Sequence, residues 1–235
     1  MGHSNEHDRR IAEMFDRIAP RYDRLNRVLS LGADVGWRRR AIALAWLGPG
    51  ERALDVGVGT GDLAFGILRA SGAGSRVIGV DIAPAMLAVA ERRAVATDLT
   101  ARFHGVLASV EALPFADQTF HRAAAAFAIR NVARIERGLR EIRRVLRPGG
   151  RVVILDLHTP PSPIARAAYR AYARAFPALA RALGSDADAY RYLPSSIERF
   201  GQPDELRTRL IDAGFRNARY ERLTFGVAAI HIGEA

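Results

Sequence analysis

The fold is decided by ten residues, Ala53-Leu54-Asp55-Val56-Gly57-Val58-Gly59-Thr60-Gly61-Asp62. An apolar run followed by alternate glycines predicts a buried strand, a tight turn and a helix that begins near Asp62. In such a turn the glycines let the backbone approach a bound ligand. Asp81 follows twenty residues after Gly61, at the end of the next apolar run. A carboxylate there can accept hydrogen bonds from both hydroxyls of a ribose, so the pattern indicates a cofactor that contains a nucleoside.

The residue after the last glycine discriminates between cofactors. A dinucleotide-binding loop needs Gly or Ala at its sixth position, where this chain has Asp62. A carboxylate there would repel a diphosphate and compete for the amides at the helix N-terminus, and Asp55 adds a second acid. S-adenosylmethionine fits better, because it carries a sulfonium, an ammonium and a ribose but no phosphate. Two alternatives stay open: an NAD-dependent oxidoreductase, and an ordinary strand–helix turn flanked by solvated acids.

Composition limits the classes of protein. The 235 residues, 49% of them hydrophobic, suffice for one α/β domain with a sizeable core. No run of about 20 apolar residues and no signal peptide is present, so we expect a cytoplasmic protein. The absence of cysteine excludes disulfides, thiolate ligands and a cysteine nucleophile. The polar residues 1–8 predict a frayed N-terminus, and no His, Asp or Glu grouping has metal-ligand spacing, so we expect a metal-free site.

The net charge is +10, and every basic residue is Arg. Such a charge favours an anionic partner, either nucleic acid or a membrane surface. No nucleic-acid-binding module is recognisable, so we expect no nucleic-acid partner. Peripheral contact with an anionic membrane is the favoured interpretation. A basic membrane- or RNA-binding protein without catalytic activity stays the non-enzymatic alternative.

Strands and helices alternate from residue 52 to residue 157. This alternation predicts a parallel sheet with helices on both faces, whose ligands lie beyond the carboxyl ends of the strands. The predicted strands are 52–57, 76–80, 102–107, 121–127 and 151–157, with helices at 62–70, from 84 and at 134–146, the last ended by a turn at 147–150. A helix that begins at Pro203 and ends at Gly214, and a hairpin of 219–225 and 227–232, complete the chain.

Two helical regions flank this core. The first, from Arg9 to about Trp46, is broken at Gly32 and Gly36. The second follows a hinge at 160–163, and Pro177 should kink it. The second helix has an apolar stripe of Ile164, Ala168, Tyr172, Phe176, Leu179 and Leu183, and an arginine face of Arg166, Arg170, Arg174 and Arg181. Such a helix can pack on its own domain with a solvated arginine face, or contact anionic lipid beside a hydrophobic pocket.

Six motifs resemble the UbiE/MenG family of quinone C-methyltransferases, over nearly the whole chain. They are Phe15-Asp16-Arg17-Ile18-Ala19-Pro20-Arg21-Tyr22-Asp23-Arg24-Leu25-Asn26, Gly59-Thr60-Gly61-Asp62, Glu111-Ala112-Leu113-Pro114-Phe115, Phe127-Ala128-Ile129-Arg130-Asn131-Val132, Tyr190-Arg191-Tyr192-Leu193 with Ser196-Ile197, and Gly226-Val227-Ala228 with His231 and Gly233.

The resemblance implies a Rossmann-like class I methyltransferase with a seven-stranded, mostly parallel sheet, an antiparallel last strand and an N-terminal helical lid. We expect a cap at 1–50, a cofactor-binding core at 51–158, a helical insertion on the substrate and membrane side at 159–202, and a closing helix and hairpin at 203–235. The implied reaction is S-adenosylmethionine-dependent C-methylation of a polyprenylated hydroquinone in menaquinone or ubiquinone biosynthesis. A related methyltransferase for another phenolic or quinol substrate stays open, as do the pathway and the prenyl length. The expected partners are the quinol, the inner face of the membrane and a second copy in a homodimer.

The resemblance and the motif positions assign candidate roles. Arg130, Asn131 and Tyr22 are the catalytic candidates. Arg130 would stabilise the phenolate or hold a water, with a surface ion pair as the alternative. Tyr22 would lie in the lid over the cofactor, or else be a core aromatic. Asp156 and His158 are alternative bases, and the candidates for substrate binding are Tyr190, Arg191 and Tyr192, for which a packing role is the alternative. The cofactor-binding candidates are Asp55, Gly57, Gly59, Thr60, Gly61, Asp81, Ile82, Ser109 and Val110.

Three positions depart from the family pattern. Ser109 stands where the family has Asn or Asp against the adenine, Ala126 replaces a serine, and His121 replaces an acid. These departures weaken the expected adenine contacts and leave room for another substrate.

Overall fold

The described residues of this computed structural model are 2–182 and 187–235, with side chains described at 6–179, 181 and 191–235. They form one seven-stranded sheet of β1 (Arg52–Val56), β2 (Arg76–Asp81), β3 (Phe103–Leu107), β4 (Phe120–Ala126), β5 (Leu146–Leu157), β6 (Arg216–Leu223) and β7 (Ala228–Glu234). The helices are α1 (Gly2–Ile18), α2 (Tyr22–Leu29), α3 (Ala33–Leu44), α4 (Asp62–Ala70), α5 (Pro84–Ala96), α6 (Ile135–Val145), α7 (Pro163–Ala173), α8 (Phe176–Ala182), α9 (Ala187–Phe200) and α10 (Pro203–Asp212).

The strand order is β3-β2-β1-β4-β5-β7-β6, and β7 is antiparallel to both of its neighbours. The predicted seven-stranded sheet with an antiparallel last strand is confirmed, as is the terminal hairpin. Strand order reverses between β1 and β4, which pair directly. In a parallel sheet such a reversal leaves a crevice beyond the carboxyl ends of the strands, and the candidate site lies there.

Three apolar layers hold the fold together. The pleat of each strand sends successive residues to opposite faces, so Val153 packs with α3 and α4 while Val152 packs with α6 and α10. The third layer lies above the crevice, where Met14 of α1, Leu25 of α2 and Phe176 of α8 meet. Full burial of one such side chain contributes about 1.5–3 kcal/mol. The third layer therefore attaches the N-terminal helices to the site.

The N-terminal region differs from the prediction in two respects. Residues 2–8 belong to α1 and are not frayed, because the helix buries Met14 and Ile18 in the third layer. Packing of an apolar face stabilises a helix more than the propensity of its polar residues does. Gly36 lies inside α3, so of the two glycines only Gly32, whose φ is +79°, separates helices.

Two boundaries further along the chain also differ. The helix expected after residue 163 is two helices, and the break precedes Pro177, which lies in the first turn of α8 where proline fits well. Leu183 of the predicted stripe lies outside the described residues. The expected turn at 147–150 lies within β5, where pairing with β4 shifts register. Within the described ranges, no helix is both long and apolar enough to span a bilayer.

Candidate active site

A cleft of about 690 Å³ opens beyond the carboxyl ends of β1 to β4 and is covered by α1. Gly57 lies where the turn after β1 meets the loop after β4. Its φ is +64°, and a Cβ there would collide with the Cβ of Ala128, so only glycine fits. Gly61, with a φ of +90°, is the N-cap residue that precedes α4. Among the predicted cofactor residues, Gly57, Gly59, Asp81, Ile82, Ser109 and Val110 line this cleft.

Asp81 fixes the shape of the cleft. Its Oδ2 accepts a hydrogen bond from the Gly59 amide at 2.8 Å, and its Oδ1 accepts one from the Ala83 amide at 2.9 Å. Burial raises the pKa of Asp81, and these amides oppose that rise. A carboxylate has about four acceptor sites. Asp81 therefore orders the glycine turn and keeps capacity for the hydroxyls of a ligand.

Asp55 is a buried acid whose carboxyl oxygens have no hydrogen-bond partner. Burial raises its pKa to about 8, and the nearby Ala64 amide, which falls short of a hydrogen bond, only partly opposes this rise. The carboxyl is therefore protonated at neutral pH, and the expected second negative charge is absent until a cation arrives. Asp55 shares a pocket of about 320 Å³ with Thr60 and Tyr22. A carboxyl group without a protein partner in this position can form an ion pair with the ammonium group of S-adenosylmethionine.

The glycine turn is tied to α2 and α5 by a network that the sequence does not reveal. The Thr60 hydroxyl donates to Asp23 at 2.7 Å, so this predicted cofactor contact faces α2. The Arg93 guanidinium bonds Asp23 at 3.0 Å, the Thr60 carbonyl at 2.8 Å and Asp62 at 2.7 Å. Asp62 is therefore paired, and the interpretation of solvated acids around the turn is wrong. We call Thr60, Asp23, Arg93 and Asp62 the latch.

The first turns of α1 bridge the ends of β3 and β4. His7 donates through Nε2 to the Asn131 carbonyl at 2.9 Å. Asp8 lines the cleft and interacts with the Ser109 hydroxyl, while burial raises the pKa of its carboxyl. Ser109 also accepts a hydrogen bond from the Glu111 amide at 3.3 Å. Sequence reasoning missed His7 and Asp8 because it treated residues 1–8 as frayed.

Arg130 is held in a buried ion pair. Its Nη1 bonds Asp156 Oδ1 at 2.7 Å and the Phe127 carbonyl at 2.6 Å, and its amide donates to Asp156 Oδ2 at 3.1 Å. The two side chains are 6% and 0% exposed, so the alternative of a surface ion pair is wrong. Burial lowers the pKa of Arg130, but Asp156, Tyr22 and Tyr192 together raise it. The guanidinium is a permanent cation of fixed position.

The loop after β4 carries both catalytic candidates of that region. Phe127 has a φ of +60°, a left-handed conformation that is strained for a bulky residue and is found mostly where function requires it. The Asn131 amide donates to the Phe127 carbonyl at 3.3 Å, and its Oδ1 is buried without a partner in the described residues. Asn131 therefore presents an unused acceptor beside the cleft.

A second, apolar cavity of about 1370 Å³ adjoins the first. Tyr22 and Phe127 line both, so Tyr22 lies at the junction of the two. Burial raises the pKa of Tyr22, and Arg130 and Arg38 oppose the rise. The walls of this cavity come largely from α2, α7 and the turn after β6. The lining residues include Leu29, Leu31, Arg130, Tyr169, Tyr172 and Phe225.

The three predicted substrate residues on α9 differ in position. Tyr192 is half-buried, lines a pocket of about 340 Å³ with Arg130 and Asn131, and has Arg199 over its ring at 5.3 Å. Arg191 is exposed. The side chain of Tyr190 lies outside the described residues. The structure thus brings only Tyr192 of this group to Arg130.

The alternative bases do not line the cavities described above. The Asp156 carboxylate is occupied by Arg130 and by the Leu157 amide. His158 lies against the Gly201 carbonyl at 3.2 Å and stacks on Phe200, and burial lowers its pKa to about 4. Within the described residues, no group of three or more His, Asp or Glu side chains could hold a metal ion.

The residues that depart from the family pattern lie in different parts of the structure. Ala126 lines the cofactor cleft beside Ser109. His121 lies at the opposite, amino end of β4. Its Nδ1 accepts a hydrogen bond from the Arg52 amide at 3.2 Å, and its Nε2 contacts Arg147 at 2.8 Å. The expectation that His121 affects the adenine contacts is therefore wrong.

Comparison with known proteins agrees with this geometry. Residues 3–235 match the model of the ubiE/COQ5 methyltransferase family. The chain is 49% identical to the demethylmenaquinone methyltransferase of Thermus thermophilus, over 94% of this chain and 99% of that protein. It is 41% identical to the ubiquinone/menaquinone biosynthesis C-methyltransferase UbiE of Geobacter sulfurreducens, over 97% of this chain and 90% of that protein.

Solved structures show the same fold at low identity. A SAM-dependent methyltransferase of Aquifex aeolicus superposes with a TM-score of 0.63 at 18% identity, covering 84% of this chain and 88% of that one. The [4+2]-cyclase SpnF gives a TM-score of 0.62 at 18% identity, covering 97% and 95%. Because a methyltransferase and a [4+2]-cyclase share the fold, the reaction must be argued from the site.

The protein is a class I S-adenosylmethionine-dependent methyltransferase. This class is defined by the order of the strands, the glycine turn after β1, the acid Asp81 and the buried Asp55. Since the family model and the relatives cover nearly the whole chain, the protein belongs to the UbiE/COQ5 methyltransferase family.

The charge state of Asp55 gives a first prediction. A cation beside an acid with a pKa of about 8 favours its ionised form, so S-adenosylmethionine should release about one proton on binding at pH 6.5, and its affinity should rise with pH up to about 8. Calorimetry in two buffers of different ionisation enthalpy measures the release. Asp55→Asn should abolish it and weaken binding. Equal proton release from both proteins would contradict the assignment.

Proposed function

We propose that this protein transfers a methyl group from S-adenosylmethionine to a ring carbon of a polyprenylated hydroquinone, converting demethylmenaquinol to menaquinol. One observation carries the proposal: the cofactor cleft that contains Asp81 and a large apolar cavity meet at Tyr22 and Phe127, beside the buried cation of Arg130. The names of the relatives from Thermus and Geobacter point to the same substrate class. A benzoquinol of ubiquinone biosynthesis would fit the same arrangement.

The residues of the cleft suit the cofactor from end to end. Asp55 would pair with its ammonium and Asp81 would accept its ribose hydroxyls. The purine would lie between the apolar side chains of Ile82, Met86 and Val110, near Asp8 and Ser109. A dinucleotide fits poorly, since its diphosphate would meet the carboxyl groups of Asp55 and Asp62 beside the glycine turn. When bound, the cofactor supplies a methyl group activated by a positive sulfur.

The apolar cavity suits the acceptor. A prenyl chain is a long apolar substituent, and Leu29, Tyr172 and Phe176 offer it an apolar wall. Its quinol ring would lie at the inner end, under Tyr22 and against Phe127. Holding the ring carbon in line with the methyl group can lower the barrier by about 7–11 kcal/mol in favourable cases.

Arg130 supplies the electrostatic part of the reaction. The hydroxyl next to the reacting carbon loses its proton, the resulting oxyanion is stabilised by the guanidinium, and the ring carbon bonds to the methyl as the carbon–sulfur bond breaks. That hydroxyl proton would pass to water, and the sulfur would be left neutral. The methylated carbon would then lose its ring hydrogen as a proton while the oxygen regains one, which restores the aromatic hydroquinone and releases one proton overall. Because Asp156 and two tyrosines raise the pKa of Arg130, the guanidinium does not act as the base. It can instead orient the water that takes the proton.

Replacement of Arg130 tests the reaction. Arg130→Met should keep the affinity for S-adenosylmethionine and lower kcat about 10²–10³-fold, the usual cost of removing one preorganised stabilising group. Transfer to a short-chain demethylmenaquinol, followed by mass spectrometry, measures turnover. Since the single change leaves Asp156 as a buried unpaired charge, Arg130→Met/Asp156→Asn is the folding control. Wild-type turnover in either variant would remove Arg130 from the mechanism.

We also infer that the mouth of the apolar cavity contacts an anionic membrane, where a prenylated substrate would reside. Leu31 and Phe225 line the mouth and are 81% and 89% exposed, and Ile164, next to the lining residue Ala165, is 82% exposed. We call these three residues the apolar rim. Exposed arginines accompany them, Arg24 and Arg27 on α2 and Arg174 after α7. Apolar side chains within a basic surface favour an anionic interface.

Vesicle sedimentation tests the apolar rim. The protein should bind phosphatidylglycerol vesicles more strongly than phosphatidylcholine vesicles, with binding weakened by salt. Leu31→Ser/Ile164→Ser/Phe225→Ser should reduce binding several-fold through lost apolar area. The matched control is Val95→Ser/Leu107→Ser/Ile211→Ser, which changes exposed apolar residues elsewhere. Equal effects of the two triple variants would contradict the assignment of this surface.

A further inference from the structure

Tyr169 of α7 has a hydroxyl that the fold does not use. The oxygen is buried and has no hydrogen-bond partner within the described part of the chain, and the side chain lines the apolar cavity. Burial raises its pKa to about 12, so the hydroxyl is neutral and a hydrogen-bond donor at physiological pH. Tyr169 was not singled out by the sequence, since it lies off the apolar stripe predicted for this helix.

A buried hydroxyl without a partner destabilises the folded state. Phenylalanine would fill nearly the same volume without that cost. Buried polar atoms in folded proteins almost always have partners, so an unpartnered hydroxyl on a residue that lines a cavity is available to a ligand.

The other polar groups of the cavity are engaged within the protein, except for Tyr172, which is exposed to solvent. Ser30 donates to Asp34 at 2.8 Å, and the Trp37 indole donates to Thr224 at 2.9 Å. Asn26 hydrogen-bonds Tyr22. Arg130 is anchored through Nη1 to Asp156, and its Nε is buried without a partner. Among the polar side chains of this cavity that are not exposed to solvent, Arg130 and Tyr169 are therefore the ones that can receive oxygen atoms of a ligand. The two lie close enough for the charge of Arg130 to lower the pKa of Tyr169, against the larger effect of burial.

We propose that Tyr169 donates a hydrogen bond to the second oxygen of the hydroquinone, the one beside the prenyl-bearing carbon, while Arg130 faces the first oxygen. This assignment rests on the function proposed above. In a para-hydroquinone the two oxygens point in opposite directions from the ring. The carbon that accepts the methyl is next to one of them, and the carbon that bears the prenyl chain is next to the other.

The placement of the two side chains matches this arrangement. The reacting carbon must face Tyr22, Phe127 and the cofactor cleft, which is the end where Arg130 lies. The prenyl chain must follow the apolar wall of α7, to which Tyr169 belongs. Recognition at two points would fix the ring orientation and would favour hydroquinones over monophenols. A site built to bond a hydroxyl discriminates strongly against an analogue that lacks it.

Binding of two acceptors tests the proposal. The first is a short-chain demethylmenaquinol kept reduced, and the second is the matching 3-prenyl-1-naphthol, which lacks the hydroxyl beside the prenyl-bearing carbon. Saturating S-adenosylhomocysteine prevents turnover, and Trp37, which lines the cavity, provides the fluorescence signal. Wild type should bind the hydroquinone about tenfold more tightly than the naphthol, the free energy of one hydrogen bond. Tyr169→Phe should bind both with equal affinity.

Two controls separate this role from a structural one. Tyr172→Phe removes a hydroxyl from the same helix and cavity, and should keep the wild-type ratio of affinities. Tyr169→Phe should not lower Tm, because its hydroxyl has no protein partner to lose. A Tyr169→Phe variant that keeps the wild-type ratio would overturn the proposal, and so would a wild type that binds both acceptors equally. Failure of the wild type to bind either acceptor would instead overturn the proposed function.

Discussion

The buried ion pair of Arg130 and Asp156 is the interaction on which the site depends. It joins the loop after β4 to the end of β5, and the Arg130 amide and the Phe127 carbonyl belong to the same network. Desolvation of two such charges costs several kcal/mol each, so a buried pair is weak evidence for stability. Its use is positional: the fold holds a cation, already desolvated and oriented, where an oxyanion would form.

Two further contacts fix the covering helices relative to that cation. The latch joins α2 to the glycine turn, and the bond from His7 to the Asn131 carbonyl joins α1 to the loop that carries Arg130. Tyr22, at the start of α2, therefore has a defined position between the two cavities.

The sequence predicted the parts of the site that depend on local patterns. The glycine turn and the acid at Asp81 follow from the strand–turn–helix pattern, and the resemblance placed Arg130 and Asn131. The sequence did not predict the role of Arg93, because its partners in the latch lie 31 to 70 residues away along the chain. It also did not predict the protonation of Asp55, which depends on burial. Tyr169 was missed because an unpartnered hydroxyl is a property of the packed cavity. The assumed domain boundaries, a homodimer and the absence of a nucleic-acid partner stay predictions.

In the proposed reaction, the fixed cation of Arg130 directs the methyl group to the carbon beside an oxyanion. The most direct test is carbon NMR of the product formed from S-adenosylmethionine with a ¹³C-labelled methyl group and short-chain demethylmenaquinol. We predict that the label appears solely as a methyl on the free ring carbon of the hydroquinone. A label found on oxygen, or no transfer although both ligands bind, would contradict it.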